Sequence, residues 1–544
     1  MVRSRSEKKT TGASIALHAL LLLTIVFIYL IYNVSQFDQV TDANALDYAQ
    51  IARHVYRGEG FTTSFIKPLS LVYNQSIENH PDLTYPPLHI LWTSGMMRLL
   101  GPTDKAVAHS SGSAFLLGIP VVYLLALRLF DRRAAILAAV LYGTNISYLN
   151  YSISGLEAPL LALLVTLLLL LLYQVGADRR REGLWVILAG IVMGLVYLTK
   201  YIWGLAAIPI LIYLWTVRSD RQMVRALVFV ALALIVSSPW LVRNYRLTGN
   251  PCFTLRSLEA LGQTKRFPGN SLYRTCDAHI PGFVKFALGN PRAIFEKLRA
   301  GMLVFYSTVP NLAGMYMTAL FLVAMVVVLG DELFERWRLL LYGLIVVIAI
   351  GLSFLIPAPR LLMPLGPAAL VIAAGFFWRL LDDRIEPLPI IRQVRARNFC
   401  IGVLLALHII PLATTVTPGR FLNRSATDPV RSAAVQLNDR TQGVIITDIP
   451  WMVAWVADRD ALWLPQTVAD LRKCEQLVGR FQWLMLSPMI MRMASSEKLD
   501  MWAEVWARGL RADTQFEDFV VEARLSSGRW VLMKRKPIAE VDAP

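Results

Sequence analysis

The segment that decides the fold of this chain reads SGLEAPLLALLVTLLLLLLYQVGA and occupies residues 154–177. After Glu157 it contains no charged side chain as far as Ala177. An α-helix needs roughly 20 apolar residues to cross the hydrocarbon core of a bilayer, which is about 30 Å thick. The segment therefore predicts a membrane-spanning helix with one carboxyl group at its head.

Apolar stretches of similar size recur along the whole chain. Of its 544 residues 56% are hydrophobic and only 17% are charged, with a mean hydropathy of +0.50, whereas a soluble domain carries about 25% charged residues. The stretches are 10–37, 106–127, 134–156, 158–177, 183–199, 201–217, 226–242, 300–330, 339–359, 361–378 and 398–419. We therefore predict a mostly α-helical polytopic membrane protein with about eleven transmembrane helices.

The net charge of +16 indicates membrane topology rather than nucleic-acid binding. Basic residues gather at the N-terminus and then in every second loop, as the cytoplasmic loops of membrane proteins do. They are Arg3, Arg5, Lys8, Lys9, Arg128, Arg132, Arg133, Arg179, Arg180, Arg181, Arg218, Arg221, Arg225, Arg336, Arg338, Arg379, Arg384, Arg392, Arg395 and Arg397. We expect an inner (cytoplasmic) membrane protein with a cytoplasmic N-terminus, a retained signal anchor and an extracytoplasmic C-terminal segment.

Three segments lie outside the predicted spans. Residues 33–105 form a first outer loop, in which helical periodicity from Ala45 to Tyr56, after a cap at Thr41 or Asp42, predicts a juxtamembrane helix on the membrane surface. Residues 243–299 form a second outer loop. Residues 418–544 alternate strand-like and helical runs and predict a small α/β domain. We therefore divide the chain into a transmembrane module, 1–417, and a C-terminal extracytoplasmic domain, 418–544.

Isolated charges at the predicted outer edge of the membrane suggest a site. They are Glu157, Lys200, Arg360 and Arg243. A lone charge at this depth usually has a partner or a function, and cations there can stabilise a departing phosphate. A carboxylate in the first outer loop, Asp47 or Asp42, can take a proton from an acceptor. Ordinary roles stay open. The cations can extend to the membrane–water interface or bind lipid headgroups, and the acids can cap helices or be stabilised by the helix dipole.

Metal and disulfide patterns are weak. Four histidines lack the spacing of metal ligands, so that no metal site is expected. They are His54, His80, His89 and His109. Cys252 and Cys276 share the second outer loop, so a disulfide between them is one possibility, although spacing alone cannot set its geometry.

Several motifs follow one another in a recognisable order. They are DYAQIARHVYRGEGF at 47–61, YPPLHILW at 85–92, then SGLEAPL, LTKY, PWLVRNYRLTGNP, PRLLMPLGP and TDIPWMVAWVADRDALWLP. Together they resemble the GT-C glycosyltransferases, particularly the bacterial relatives of protein O-mannosyltransferases and of the aminoarabinose transferases that modify lipid A. The resemblance covers nearly the whole chain and implies the GT-C fold.

The resemblance also implies roles for individual residues. The catalytic base would be Asp47 or, as second choice, Asp42; the donor phosphate would be bound by Lys200, Arg243 and Arg360; and Glu157, Tyr85 and His89 would position the substrates. Two departures are visible. Asn44 occupies the place of the acid in the aminoarabinose-type pattern, and Thr84 and Tyr85 replace a Glu-Lys pair of some relatives, which removes a phosphate-binding cation or a metal ligand.

The implied activity is transfer of a sugar, hexosyl or pentosyl, from a polyprenyl-phosphate donor to an extracytoplasmic acceptor in the cell envelope. The acceptor could be a protein hydroxyl, a lipid such as lipid A, or an envelope glycan, and no nucleic acid, soluble cofactor or divalent metal is expected. A transferase that uses a diphosphate-linked donor is an enzymatic rival. A lipid-linked sugar flippase or transporter without chemistry is the alternative from another class, although it predicts charges within the spans and inverted repeats.

Overall fold

The computed structural model describes residues 12–536 except 219, 278–279, 329–330, 356, 388, 417–428, 439, 512–513 and 527. The helices are α1 Gly12–Gln36, α2 Ala43–Arg57, α3 Pro87–Leu100, α4 Asp104–Leu129, α5 Arg132–Gly143, α6 Ile146–Ser152, α7 Ala158–Ala177, α8 Glu182–Thr199, α9 Ala207–Thr216, α10 Gln222–Thr248, α11 Phe283–Gly289, α12 Pro291–Thr308, α13 Met315–Val326, α14 Glu332–Phe354, α15 Gly366–Ile385, α16 Ile390–Thr415, α17 Pro429–Leu437, α18 Pro450–Met452, α19 Val468–Val478, α20 Ile490–Glu497 and α21 Asp500–Arg511. The basic N-terminal residues of the topology prediction lie outside the described part.

Eight helices in the described part are long and apolar enough to cross a membrane. They are Ala19–Gln36, Asp104–Leu129, Ala158–Ala177, Arg179–Thr199, Gln222–Thr248, Glu332–Phe354, Pro359–Ile385 and Ile390–Thr415. Each coincides with one of the eleven predicted stretches, so the polytopic, mostly helical prediction is confirmed.

The other three predicted stretches do not form long straight helices, and the count of eleven stays a prediction. Residues 134–156 divide into α5 and α6, because the Asn145 side chain caps α6 and interrupts the run. Residues 201–217 form a 3₁₀ turn followed by the short apolar helix α9. The described part of the stretch 300–330 falls mainly on two helices, Pro291–Asn311 and Tyr316–Val326, which are bent by 105° relative to each other.

The leucine-rich helix α7 lies in the middle of the helical bundle. It is apolar on all sides, which is typical of a helix that is buried all round, and Leu161 and Leu172 are fully buried. On one flank α7 packs against α8, which in turn packs closely on α10. The glycines of α8 permit this approach: a Cβ added to Gly190 would lie 2.8 Å from the Phe229 carbonyl oxygen, and one at Gly194 would lie 2.7 Å from Val236 Cβ.

Helix α2 is enclosed rather than exposed on a surface. Asp42 caps its N-terminus by accepting hydrogen bonds from the backbone N–H groups of Asn44 and Ala45, and Gly58 ends it with a φ of 84°. One face packs on α3. The polar face lies under the C-terminal segment, where the Arg53 guanidinium donates to the carbonyl oxygens of Ala454 and Trp455 at 2.6 and 2.8 Å.

The C-terminal segment contains most of a seven-stranded sheet in the order β1-β3-β2-β4-β7-β6-β5. The strands are β1 Phe65–Ile66, β2 Ile445–Thr447, β3 Ala461–Trp463, β4 Trp483–Leu486, β5 Gln515–Phe516, β6 Phe519–Leu525 and β7 Trp530–Arg535. The first four strands pair in parallel and the rest are antiparallel. Strand β1 belongs to the 33–105 segment, with Phe65 opposite Ala461, so that segment and the α/β domain share one sheet.

Cys252 and Cys276, whose pairing the sequence left open, are not bonded to each other. Cys276 is bonded to Cys474 of α19 across 198 residues of sequence, with a Cα–Cα distance of 6.3 Å, and Cys252 is free and exposed. Packing of the 243–299 segment against α19 brings these two cysteines within bonding distance. Proximity in sequence gave no information about this tertiary contact.

Candidate active site

A cavity of about 860 Å³ lies where the ends of several helices meet the C-terminal sheet domain. We call one part of this cavity the polar chamber. It is lined by the ionisable and polar side chains of Asp47, Lys67, Tyr85, Lys200, Arg256 and Arg360. The cavity continues between α8, α10 and α14 as an apolar groove: Met193, Gly194, Phe229, Ala233 and Leu352. Charged and lipid-like ligand groups can therefore occupy one continuous site.

Asp47 is held rigidly in the polar chamber. Its side chain is 1% exposed, its Oδ1 accepts from Gln50 Nε2 at 2.9 Å, and its Oδ2 accepts from the Tyr85 hydroxyl at 2.8 Å. The Lys67 ammonium lies 3.4 Å from the same oxygen. This carboxylate lines the cavity and is oriented by three partners, as an acid–base group requires.

Asp42, the second candidate for the base, has a structural role. It caps α2 through the backbone N–H groups of Asn44 and Ala45, at 2.8 and 3.2 Å. Its other oxygen lies 3.8 Å from Arg360 Nη1. Arg360 lines the cavity and Asp42 does not, so the geometry favours Asp47.

Glu157 and Lys200 form a buried ion pair at the ends of α7 and α8. The Lys200 ammonium donates to Glu157 Oε1 at 2.7 Å, and the carboxylate is completely buried. Although Glu157 precedes the first turn of α7, its side chain makes no capping hydrogen bond. Lys200 lines the cavity and Glu157 lies behind it. The pair therefore holds a cation at the wall of the polar chamber.

Arg256 is a cavity residue that the sequence did not single out. Its guanidinium donates to Glu259 at 2.7 Å, to Asn44 Oδ1 at 3.0 Å and to the Tyr85 hydroxyl at 3.2 Å. Burial lowers the pKa of Arg256, but Glu259 and Tyr85 outweigh this and hold it well above the ordinary value. Arg256 is the second residue of the short 3₁₀ turn Leu255–Ala260, a context without any recognisable motif.

Tyr85 is positioned by Asp82, which the sequence also did not indicate. The Asp82 carboxylate accepts from the backbone N–H groups of Thr84 and Tyr85 at 3.1 and 2.9 Å. Burial raises the pKa of this carboxyl group, and the nearby Lys67 ammonium opposes the rise. The predicted positioning residue Tyr85 thus enters the polar chamber from a fixed turn.

Like Asp42 and Glu157, the predicted site residues Arg243 and His89 lie outside the lining of the cavity. Arg243 packs over the Trp240 ring, and its guanidinium donates to the carbonyl oxygens of Phe61 and Asp82, both at 3.0 Å. The imidazole of His89 lies 3.0 Å from the Gly155 carbonyl oxygen through Nε2. Arg243 and His89 therefore support the backbone around the polar chamber.

No group of three or more His, Cys, Asp and Glu side chains that could hold a metal ion occurs in the described part of the chain. In the polar chamber the cations Lys67, Lys200, Arg256 and Arg360 outnumber the carboxylates. Such a set suits an anionic ligand such as a phosphate.

Comparisons with known proteins agree with this geometry. Residues 84–242 match the family of dolichyl-phosphate-mannose-protein mannosyltransferases. ArnT from Cupriavidus metallidurans, solved with undecaprenyl phosphate, aligns over 97% of this chain and 99% of its own, with 15% identity and a TM-score of 0.57. AglB, the oligosaccharyltransferase of Archaeoglobus fulgidus, solved with an inhibitory peptide and a dolichol-phosphate, aligns over 91% and 73%, with 12% identity and a TM-score of 0.60. No curated protein sequence matches the chain.

These similarities define the class of the molecule. The chain is a multi-span membrane protein with the GT-C glycosyltransferase fold and a small C-terminal sheet domain. The fold that the sequence resemblance implied is therefore confirmed.

Proposed function

We propose that this protein transfers a sugar from a polyprenyl-phosphate donor to an acceptor outside the cytoplasm. The observation that carries the proposal is the continuity of the apolar groove with the polar chamber. A lipid chain fits the groove, a phosphate fits the cations, and the sugar then lies beside a fixed carboxylate. Structures of the same fold hold undecaprenyl phosphate and dolichol-phosphate, which supports this class of donor.

The cations would stabilise the leaving group. As the bond between the anomeric carbon and the phosphate oxygen breaks, its electron pair stays on the polyprenyl phosphate. Lys200, Arg256 and Arg360 line the chamber and supply preorganised positive charge for that oxygen. Because a phosphate leaves without being protonated, no general acid is required.

Asp47 would act as the general base. An acceptor hydroxyl attacks the anomeric carbon from the side opposite the phosphate, a new C–O bond forms, and the hydroxyl proton passes to the Asp47 carboxylate. This single displacement inverts the configuration at the anomeric carbon. Tyr85 and Gln50 donate to Asp47 and hold it in place.

The cellular placement belongs to the same proposal. Basic loop residues meet acids at the bundle end away from the sheet domain, for example Arg133 with Asp382 at 2.7 Å and Arg225 with Glu182 at 2.7 Å. The positive-inside pattern assigns that end to the cytoplasm. The polar chamber and sheet domain then face outward from the inner membrane, and the acceptor is an envelope component.

Transfer in proteoliposomes tests the proposal. A panel of radiolabelled polyprenyl-phosphate hexoses and pentoses is mixed with an envelope extract as acceptor, with and without EDTA. We expect label to leave one carrier with wild-type protein, and Asp47→Asn to slow this by about 10²–10⁴-fold. Asp42→Asn is the matched control and should retain transfer.

Two outcomes would contradict the proposal. Labelled lipid that crosses the bilayer without losing its sugar would favour a flippase. Transfer only from diphosphate-linked donors, with loss in EDTA, would favour the metal-dependent rival.

A further inference from the structure

Four aromatic side chains form one wall of the cavity that contains Asp47. This aromatic wall consists of Phe65, Tyr273, Trp451 and Trp463, which all line the cavity. The ring centroids of Phe65 and Trp463 are 5.3 Å apart, and those of Tyr273 and Trp463 are 6.1 Å apart and nearly parallel at 23°. Trp451 adds a ring 6.4 Å from that of Trp463.

The aromatic wall lies on the side of Asp47 that belongs to the sheet domain. Lys67, which is 3.4 Å from the Asp47 carboxylate, has its ammonium 4.0 Å from the Phe65 ring centroid. Phe65 and Trp463 belong to the paired strands β1 and β3. The apolar groove, in contrast, is formed by helices of the bundle. A lipid-linked donor that enters from the groove reaches Asp47 from the membrane side, which leaves the aromatic wall for the other substrate.

The Trp463 indole is held rigidly in the aromatic wall. The residue is 6% exposed, and its Nε1–H has no hydrogen-bond acceptor among the described residues. The Arg274 guanidinium lies 4.3 Å from the ring centroid and pairs with Glu497, so the indole is fixed.

We propose that the aromatic wall binds a sugar ring of the acceptor, so that the acceptor is a glycan or a glycolipid rather than a protein side chain. Rigid aromatic faces bind the apolar C–H face of a sugar. Trp451, which is only partly buried, supplies the accessible ring. This inference rests on the proposed transferase function for the identity of the donor side.

Binding without a donor tests the aromatic wall separately from catalysis. Full-length protein in lipid nanodiscs is titrated with cellobiose and chitobiose, and with a hexapeptide rich in Ser and Thr, by saturation-transfer NMR. We expect a disaccharide to bind and the peptide not to bind. Trp451→Ala should raise the Kd of the disaccharide by roughly 3- to 10-fold, as the loss of one stacking contact does.

Trp506→Phe is the matched control, because Trp506 lies on α21, donates to the Arg529 carbonyl oxygen and does not line the cavity. Equal disaccharide affinity in wild type and Trp451→Ala would overturn the inference, as would a saturation-transfer signal from the peptide but from neither disaccharide. Competition between the disaccharide and a polyprenyl-phosphate sugar would assign the wall to the donor and also overturn it. If wild-type protein binds the disaccharide but transfers no sugar from any donor, the proposed transferase function is rejected and the sugar-binding site remains.

Discussion

The Lys200 ammonium lies 2.7 Å from Glu157 Oε1, and the two side chains are only 8% and 0% exposed. Each residue ends or begins a membrane helix, so the pair joins α8 to α7 at the wall of the polar chamber. A charge buried at this depth is tolerated because its partner is present. Lys200 can contribute to phosphate binding only while Glu157 compensates its charge in the empty site.

Separate and combined substitutions distinguish the structural and catalytic roles of this pair. Glu157→Gln should lower the unfolding free energy by about 3–5 kcal/mol, because it leaves a buried cation unpaired. The double variant Glu157→Gln with Lys200→Met should recover most of that stability but not sugar transfer, because the cation is gone. Thermal unfolding in detergent and the proteoliposome assay measure the two effects. Recovered transfer in the double variant would exclude Lys200 from catalysis.

Asp42 should behave as a helix cap. Asp42→Ala removes the acceptor for the N–H groups of Asn44 and Ala45 and should lower the unfolding free energy by about 0.5–2 kcal/mol. Asp42→Asn should be nearly neutral, because Asn caps helices as well as Asp does. Tm values of the three proteins check this order. A thousandfold loss of transfer in Asp42→Asn at unchanged Tm would identify Asp42, not Asp47, as the base.

Arg256 should require its planar guanidinium as well as its charge. It contacts Glu259, Asn44 and Tyr85 at once, a geometry that a lysine cannot reproduce. We expect Arg256→Lys to reduce transfer by about 10-fold and Arg256→Gln by about 10²–10³-fold, as for the loss of one charge-stabilising group. Steady-state transfer rates measure both changes. Arg292→Lys, at an exposed residue of the same 243–299 segment, is the control and should leave the transfer rate unchanged.

The sequence predicted those features that depend on local composition or on motifs. Uninterrupted apolar runs identified the long helices, since a helix that crosses a bilayer must be apolar throughout. Lone charges at the ends of such runs identified Glu157, Lys200 and Arg360, because few polar residues occur there. The periodic pattern from Ala45 to Tyr56 identified α2, although not that both of its faces are covered.

Features that depend on long-range packing were not predictable. Strand β1 has only the two residues Phe65 and Ile66 and exists because β3, about 400 residues later, pairs with it. Arg256 and Lys67 lie in irregular segments where a basic residue is ordinary. Arg243 matched a motif but turned out to bind backbone carbonyl groups, because a motif fixes position and not the direction of a side chain.

The disulfide predicts a defined response to reduction. Cys276 and Cys474 join the 243–299 segment to the sheet domain, and their loss should lower the unfolding free energy by about 2–5 kcal/mol. A reductant should therefore lower the Tm of wild type and of Cys252→Ser, but not that of Cys276→Ser. Non-reducing electrophoresis of the same samples identifies the bonded pair. A reductant-sensitive Tm in Cys276→Ser would disprove this connection. Because disulfides form in oxidising compartments, this bond also supports the proposal that the sheet domain faces outward from the inner membrane.

Asp448 predicts how the stability of the sheet domain depends on pH. It is fully buried, with Oδ1 accepting from the Ser487 N–H at 2.9 Å and Oδ2 at 2.5 Å from the Ser487 hydroxyl oxygen. Burial raises the pKa of this carboxyl group to about 6, and the Ser487 hydrogen bonds only partly oppose the rise. Between the unfolded pKa of about 3.9 and the folded value, the folded state binds more protons. The contribution of Asp448 to the unfolding free energy is therefore fully present below pH 4 and is lost as the pH rises through the folded pKa of about 6.

Asp448→Asn isolates this contribution, since an amide resembles the protonated acid in shape and hydrogen bonding. We expect the Tm of the variant, relative to that of wild type, to increase as the pH rises from 4 to 6 and then to stay constant. Over this range the unfolding free energy of the variant should rise relative to that of wild type by about 3 kcal/mol at most. Asp518→Asn, at an exposed residue of the same domain, is the control for the loss of one carboxylate from the sheet domain. A Tm difference for Asp448→Asn that is flat from pH 4 to 7 would show that this carboxyl group does not titrate in that range in the folded protein.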